Sequence, residues 1–156
     1  MEQTGFSRRH ALSLAIASLG LFVSPTAMAQ QAPADAVVGP WAADDGSVKL
    51  DLFRSGAEYQ GRLLYGNKLV EADGVTFKKD VKNPDPALRS RSMKNAVILT
   101  GLRYSKGEWT GGSLYDGSSG STYSCKLWIK DGKMYLRGYL GVSLLGQTRS
   151  FHRIAG

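Results

Sequence analysis

Residues 133–154 read KMYLRGYLGVSLLGQTRSFHRI, and the alternation in this stretch decides the fold. It divides into two strands, 133–140 and 144–154, folded back on each other through a glycine-punctuated corner. In the first, Met134, Leu136 and Leu140 point one way and Tyr135, Arg137 and Tyr139 the other. In the second, Thr148, Ser150 and His152 alternate with Gln147, Arg149, Phe151 and Arg153. Gly138, Gly141 and Gly146 stand where a strongly bent sheet needs residues without a Cβ. Such a pair is the closing hairpin of a small β-barrel or sandwich.

The same pattern extends outward. Strands are expected at 97–104, 108–115 and 122–130, parted by Ser105-Lys106-Gly107, Asp116 to Gly120, and Asp131-Gly132. Upstream, 47–54 carries Val48, Leu50 and Leu52 on one face, and 58–65 carries Tyr59, Gly61, Leu63 and Tyr65 on one face. Asp-Gly pairs begin at Asp45, Asp73, Asp116 and Asp131 and supply the positive φ of tight hairpin turns. No amphipathic helix of useful length intervenes, so consecutive strands pair as an antiparallel meander. About eight such strands close most easily into an all-β up-and-down barrel. The middle is less regular. Asn83-Pro84-Asp85-Pro86 excludes a continuous strand, so a long central loop with one helical turn at 87–90 is expected. A loop of this length serves as a lid or rim, or as a plain connection.

The first 29 residues read as a secretory signal peptide. Arg8 and Arg9 precede an apolar run, 11–23, then Pro25 and the small-residue site Ala27-Met28-Ala29, with cleavage before Gln30. The run is too short to span a membrane. Ser7 to Leu12 resembles a twin-arginine signal, with Ala11 replacing a bulky apolar residue and Ser13 a frequent lysine, so both export routes stay open. Residues 30–37 are expected to be a flexible lead-in, and 38–156 a single barrel domain. The expected location is the periplasm of a Gram-negative type of bacterium, or the exterior, with no membrane span in the mature chain.

Loss of 29 of the 156 residues leaves 127. Loss of Arg8 and Arg9 against Glu2 lowers the net charge from +7 to +6. An exported basic domain meets anionic lipid, lipopolysaccharide or peptidoglycan rather than nucleic acid. The positive residues are scattered, however, and solvated surface charge accounts for them.

Chemistry is sparse. His152 is the one histidine outside the leader and Cys125 the one cysteine, which excludes a zinc site and an intramolecular disulfide. Cys125 reads as a small buried apolar residue in preference to half of a thiol-bridged dimer. The aspartates occupy turns, no carboxylate pair stands out, and Gly111-Gly112 lacks the strand-to-helix setting of a phosphate cradle. No catalytic residue, metal or cofactor is expected; an enzyme built on His152 is the weakest reading. What remains is the barrel interior. Trp41, Tyr59, Tyr65, Tyr115, Tyr123, Trp128, Tyr135 and Tyr139 are candidates for an amphipathic lining. Arg137, between two tyrosines, either meets an anionic head group inside or stacks on rings outside.

Two resemblances sharpen this. Gly39-Pro40-Trp41 with Arg149 or Arg153 resembles the lipocalin arrangement, in which a tryptophan closes one end of the barrel under a late-strand arginine. Nearly all of 38–156 also resembles the exported bacterial family called domain of unknown function 2147. Its motifs match Gly39-Pro40-Trp41, Asn83 to Arg91, Trp109 to Asp116, Gly120 to Tyr123, Leu136 to Gly141 and Gly146 to Arg153. This chain departs from the pattern at Gln147 for Arg, Phe151 for Trp, Met134 and Leu136 for Leu and Val, and Asn95 where Gly is common. It also lacks the Cys-x-x-Cys that some relatives carry in the central loop. The resemblance implies a lipocalin-like periplasmic barrel and no particular reaction.

The expected function is non-enzymatic binding of a small amphipathic ligand, such as a fatty acid, through Trp41, Trp109, Tyr123, Arg137 and Tyr139. The alternative is a cavity-free module that docks on an envelope protein or glycan through surface aromatics and the central loop, with Asn83, Asp85, Arg89 and Arg91 in contact.

Overall fold

The strands of the computed structural model, which describes residues 33–155, are β1 (Gly39–Ala43), β2 (Val48–Ser55), β3 (Glu58–Gly66), β4 (Val97–Ser105), β5 (Glu108–Asp116), β6 (Ser121–Lys130), β7 (Lys133–Tyr139) and β8 (Gln147–Arg153). The expected signal peptide lies outside the described residues. Each strand pairs antiparallel with the next, and β8 returns to β1 through Trp41↔Arg153 and Ala43↔Phe151, closing an eight-stranded up-and-down barrel. The turns follow from the sequence. Asp131 and Gly132 sit at φ 51° and 74° between β6 and β7, and Lys106 and Gly107 at 52° and 86° between β4 and β5.

Side chains of the inward phase fill the barrel away from its mouth. Leu52, Leu102, Trp109, Leu127, Met134 and Phe151 are fully buried, each stabilising the fold by about 1.5–3 kcal/mol through lost contact with water. Cys125 is among them as a free thiol, and burial pushes its pKa up to about 12. It occupies the place of a small apolar side chain.

The structure differs from the sequence reading at four places. A bulge between Lys49 and Leu50 pairs Tyr65 with Lys49 and Leu63 with Leu50. This one-residue slip turns Tyr65 off the inner face, with the Lys49 ammonium 5.9 Å from its ring centroid. Leu140 falls beyond β7 and is exposed, because the corner begins two residues after Gly138; β8 starts at Gln147, after a 3-10 turn at Ser143–Leu145. The lead-in is not wholly flexible: Ala34–Val37 forms a 3-10 turn with Val37 buried. The central loop is more ordered than a plain connection, with a bridge at Lys79↔Ser92; the turn at Asp73-Gly74 pairs Val70 with Phe77 as its sequence implies, and the expected helical turn is present as a 3-10 turn at Pro86–Leu88. Asn95 holds φ 57°, a conformation that asparagine tolerates better than most residues and glycine better still.

Candidate functional site

The two ends of the barrel are built differently. At one end the Ala34–Val37 turn lies across the strands and its carbonyls take the polar atoms of the core aromatics. Trp41 Nε1 donates to Val37 O at 2.8 Å and Trp109 Nε1 to Ala34 O at 3.0 Å. Tyr59 Oη donates to Asp35 Oδ1 at 2.6 Å. Arg153 lies over Trp41, 4.2 Å from its ring centroid, and donates to Val38 O and Ala36 O at 2.8 and 2.6 Å. Gly39 permits this crossing: it holds φ 114°, and a Cβ there would stand 2.8 Å from the Arg153 guanidinium. Of the two arginines that sequence offered for this role, Arg153 has it.

The opposite end is open. A cavity of about 730 Å³ runs in from it, with Leu50, Leu63, Ile98, Leu114, Leu136 and Phe151 along its walls. Polar groups collect toward its rim, among them Ser47, Asn67, Lys68, Tyr123, Gln147 and Arg149. Arg149 donates to Asp45 Oδ2 at 2.5 Å and to the Ser47 hydroxyl at 2.6 Å. Hydrogen bonds from Ser47 are the largest cause holding the Asp45 carboxyl below its usual range.

The central loop packs beside this mouth around a buried carboxylate, Asp80. Tyr115 Oη donates to Asp80 Oδ1 at 2.5 Å, while Asn83 Nδ2 and Arg91 Nε donate to Oδ2 at 2.8 and 2.9 Å. Desolvation pushes the Asp80 pKa up, but bonds from Tyr115, Asn83 and Arg91, with the Arg91 charge, outweigh it and leave it lowered. The same burial and the Asp80 charge drive Tyr115 up to about 12. Arg89 Nε donates to Asn83 O at 2.7 Å, and Asp85 caps the Pro86–Leu88 turn through Ala87 N at 2.9 Å. Gly120 lets the loop seat, since a Cβ there would overlap the Lys82 carbonyl.

The residues expected to bind a ligand therefore separate. Tyr123 and Tyr139 line the cavity. Trp41 and Trp109 are fully buried at the closed end, away from it, because their indole N–H groups are drawn to the Ala34–Val37 carbonyls. Arg137 is off the cavity, on the outer phase of β7, and donates to Thr148 Oγ1 at 2.8 Å and Leu144 O at 3.0 Å. Trp128 and Tyr135 stack on each other at 5.4 Å on that same outer phase, beside Lys126. Sequence reasoning singled out neither Asp80 nor the mouth position of Arg149. The inward phase that Arg149 shares with Phe151 was the available signal for the second.

Cys125 is fully buried in the core, whereas His152 is exposed on β8. Its Nδ1 lies 2.9 Å from Asp44 Oδ1, and Lys133 and Ser150 donate to Asp44 Oδ2 at 2.9 and 2.7 Å. The carboxylate, not the imidazole, is the hub. Bonds from Lys133, His152 and Ser150 hold it far below its usual range.

A closed eight-stranded meander, sealed at one end by tryptophan under arginine and hollow at the other, defines a lipocalin-like barrel. Over residues 39–153 the chain matches the model of DUF2147, described as uncharacterized proteins conserved in bacteria, and it belongs to that family. Its fold is similar to that of protein HP1028 from the human pathogen Helicobacter pylori, described as belonging to the lipocalin family. The TM-score is 0.66 at 23% identity, over 76% of this chain and 83% of that one. Comparison with curated proteins found no match.

Proposed function

We propose that this protein is an exported, non-enzymatic carrier that holds one small amphipathic or lipid-like molecule in the open end of its barrel, fatty acids being the first class to test. The observation that carries the reading is the cavity of about 730 Å³, aliphatic in its walls and polar at its rim. Sites for small molecules commonly span roughly 300–1,000 Å³ and pair apolar walls with a few placed polar groups. An acyl chain against Leu50, Leu63, Leu136 and Phe151 leaves water, while Tyr123, Gln147 and Arg149 offer donors to its head. A guanidinium meets a carboxylate through charge-assisted hydrogen bonds, so Arg149 exchanges its contact with Asp45 for one to the ligand. The leader read at 1–29 supports export to the periplasm. Docking on an envelope protein or glycan through the central loop has less support, because Asn83, Asp85, Arg89 and Arg91 are bonded within that loop.

Native mass spectrometry of protein purified from the periplasm, with solvent extraction, tests this. The expected result is a reproducible extra mass of one amphipathic molecule, absent from a Leu114→Trp variant whose indole fills the cavity. A clean apo mass that also ignores a panel of fatty acids and phospholipids overturns the carrier reading.

A further inference from the structure

The corner between β7 and β8 carries four aliphatic side chains in the open: Leu140, Val142, Leu144 and Leu145 are 66, 59, 90 and 81% exposed. The segment is braced rather than frayed. Leu145 N donates to Val142 O, and Arg137 on the neighbouring strand holds the Leu144 carbonyl at 3.0 Å. Contiguous aliphatic surface held in water marks a place where another apolar phase makes contact.

Across the mouth the chemistry reverses. Lys68, Lys78, Lys79 and Lys82 line a depression of about 540 Å³ that shares Lys68, Leu69, Gly117 and Ser118 with the cavity. Glu71 is the one acidic residue in that lining. Lys78 and Lys82 donate to backbone carbonyls, at Lys68 and Ser118, rather than to carboxylates. Lys68 feels Asp116 electrostatically, yet Asp116 is itself bound by Ser118 and Ser119. Val75 and Val81 are exposed on this same loop. The cavity lies between the two lips, with Leu140 and Leu145 on one wall and Lys68 and Leu69 on the other.

We infer that the open end docks on an anionic lipid surface. Leu144 and Val142 enter the acyl boundary, and the lysines of the opposite lip meet lipid phosphates. Aliphatic insertion and cationic attraction act together in this way wherever a protein lies on a membrane without crossing it. A second copy of the chain fits less well, because the lining of this lip is predominantly cationic, one acid, Glu71, against four lysines, while Asp45 is already paired with Arg149. The inference goes beyond the carrier reading and stands without it, since vesicle binding is scored with no cavity ligand. Were both to hold, the cavity would open directly onto the phase that dissolves its cargo.

Cosedimentation with vesicles tests the docking. The protein should pellet with phosphatidylethanolamine–phosphatidylglycerol vesicles and not with pure phosphatidylcholine, and added salt should release it. Lys79→Glu with Lys82→Glu, and separately Val142→Ser with Leu144→Ser, should each weaken binding about tenfold or more without lowering Tm. None of these four residues lines the main cavity, so native mass spectrometry of the same variants reports on the carrier reading independently. Binding to neither vesicle, or binding unchanged in both double variants, overturns the inference. So does a concentration-dependent dimer abolished by the Val142→Ser, Leu144→Ser pair, which would assign the aliphatic lip to a second copy.

Discussion

The closed and open ends of the barrel are made by the same eight strands and obey opposite rules. At the closed end Trp41, Tyr59 and Trp109 are buried and their polar atoms have fixed partners in the chain: Trp41 with Val37, Trp109 with Ala34, Tyr59 with Asp35, and Arg153 above them with Val38 and Ala36. At the open end, aliphatic walls surround unfilled space, and Lys78 and Lys82 of the rim donate to backbone carbonyls rather than to carboxylates. The difference separates an end whose large side chains are locked into the fold from an end that leaves room for a guest, should the carrier reading hold. Trp41 and Trp109 can then be changed without touching the cavity lining, and the rim residue Arg149 without touching the buried core, whereas Leu50, Leu63 and Phe151 belong to both.

Substitutions can break or sharpen that separation. The largest effect is expected from Trp41→Ala, which empties the closed end and should cost about 3–5 kcal/mol in denaturant unfolding. A variant as stable as the parent would remove the distinction between the ends. Asp80→Ala should cost about 3 kcal/mol, since it strands the hydrogen bonds of Tyr115, Asn83 and Arg91 around a buried site. The Asp80 pKa is lowered in the fold, so its contribution is complete above the ordinary value of about 3.9. It is lost as pH falls from there through the folded value. The parent should therefore lose stability on acidification in this window, and the variant should lose less; equal losses would deny Asp80 its role. The smallest effect on stability belongs to Arg149→Gln at the exposed rim, within about 0.5 kcal/mol. If the carrier reading holds, fatty-acid affinity should nonetheless fall in that variant by isothermal titration, whereas Trp41→Ala protein, while folded, should bind as the parent does.

Much of the fold could be read from residues. Strand alternation and Asp-Gly turns have local causes, so the barrel and six of its strand starts, to within a residue, follow from short stretches of chain, whereas β8 begins three residues later than its alternation implied. The direction of individual aromatics was harder to read. The bulge at Lys49/Leu50 reverses Tyr65 through a backbone slip that leaves no mark in the alternation. The stacking of Trp128 on Tyr135 satisfies both rings on the outer face, where amphipathic side chains also rest well. Ala34–Val37 looked like a linker because it contributes carbonyls rather than a side-chain pattern. The Asp80 cluster joins residues 35 apart in sequence, Tyr115 to Asp80, and a lone aspartate in a proline-containing loop gives no sign of such a partner. The same cluster explains why Asn83 and Arg91 read as exposed docking groups: charge and polarity are visible in sequence, but their engagement with a buried acid is not.

The sealing of one end also fixes where the chain can be held from outside. Pro33 leads directly into the plug, and Ile154, just past β8, donates from its amide to Pro40 O beside it. Both ends of the described chain thus leave from the sealed pole. A linker, label or solid support joined at either end would tether the barrel by its base and present the cavity and its two lips outward, like a cup fixed by its foot.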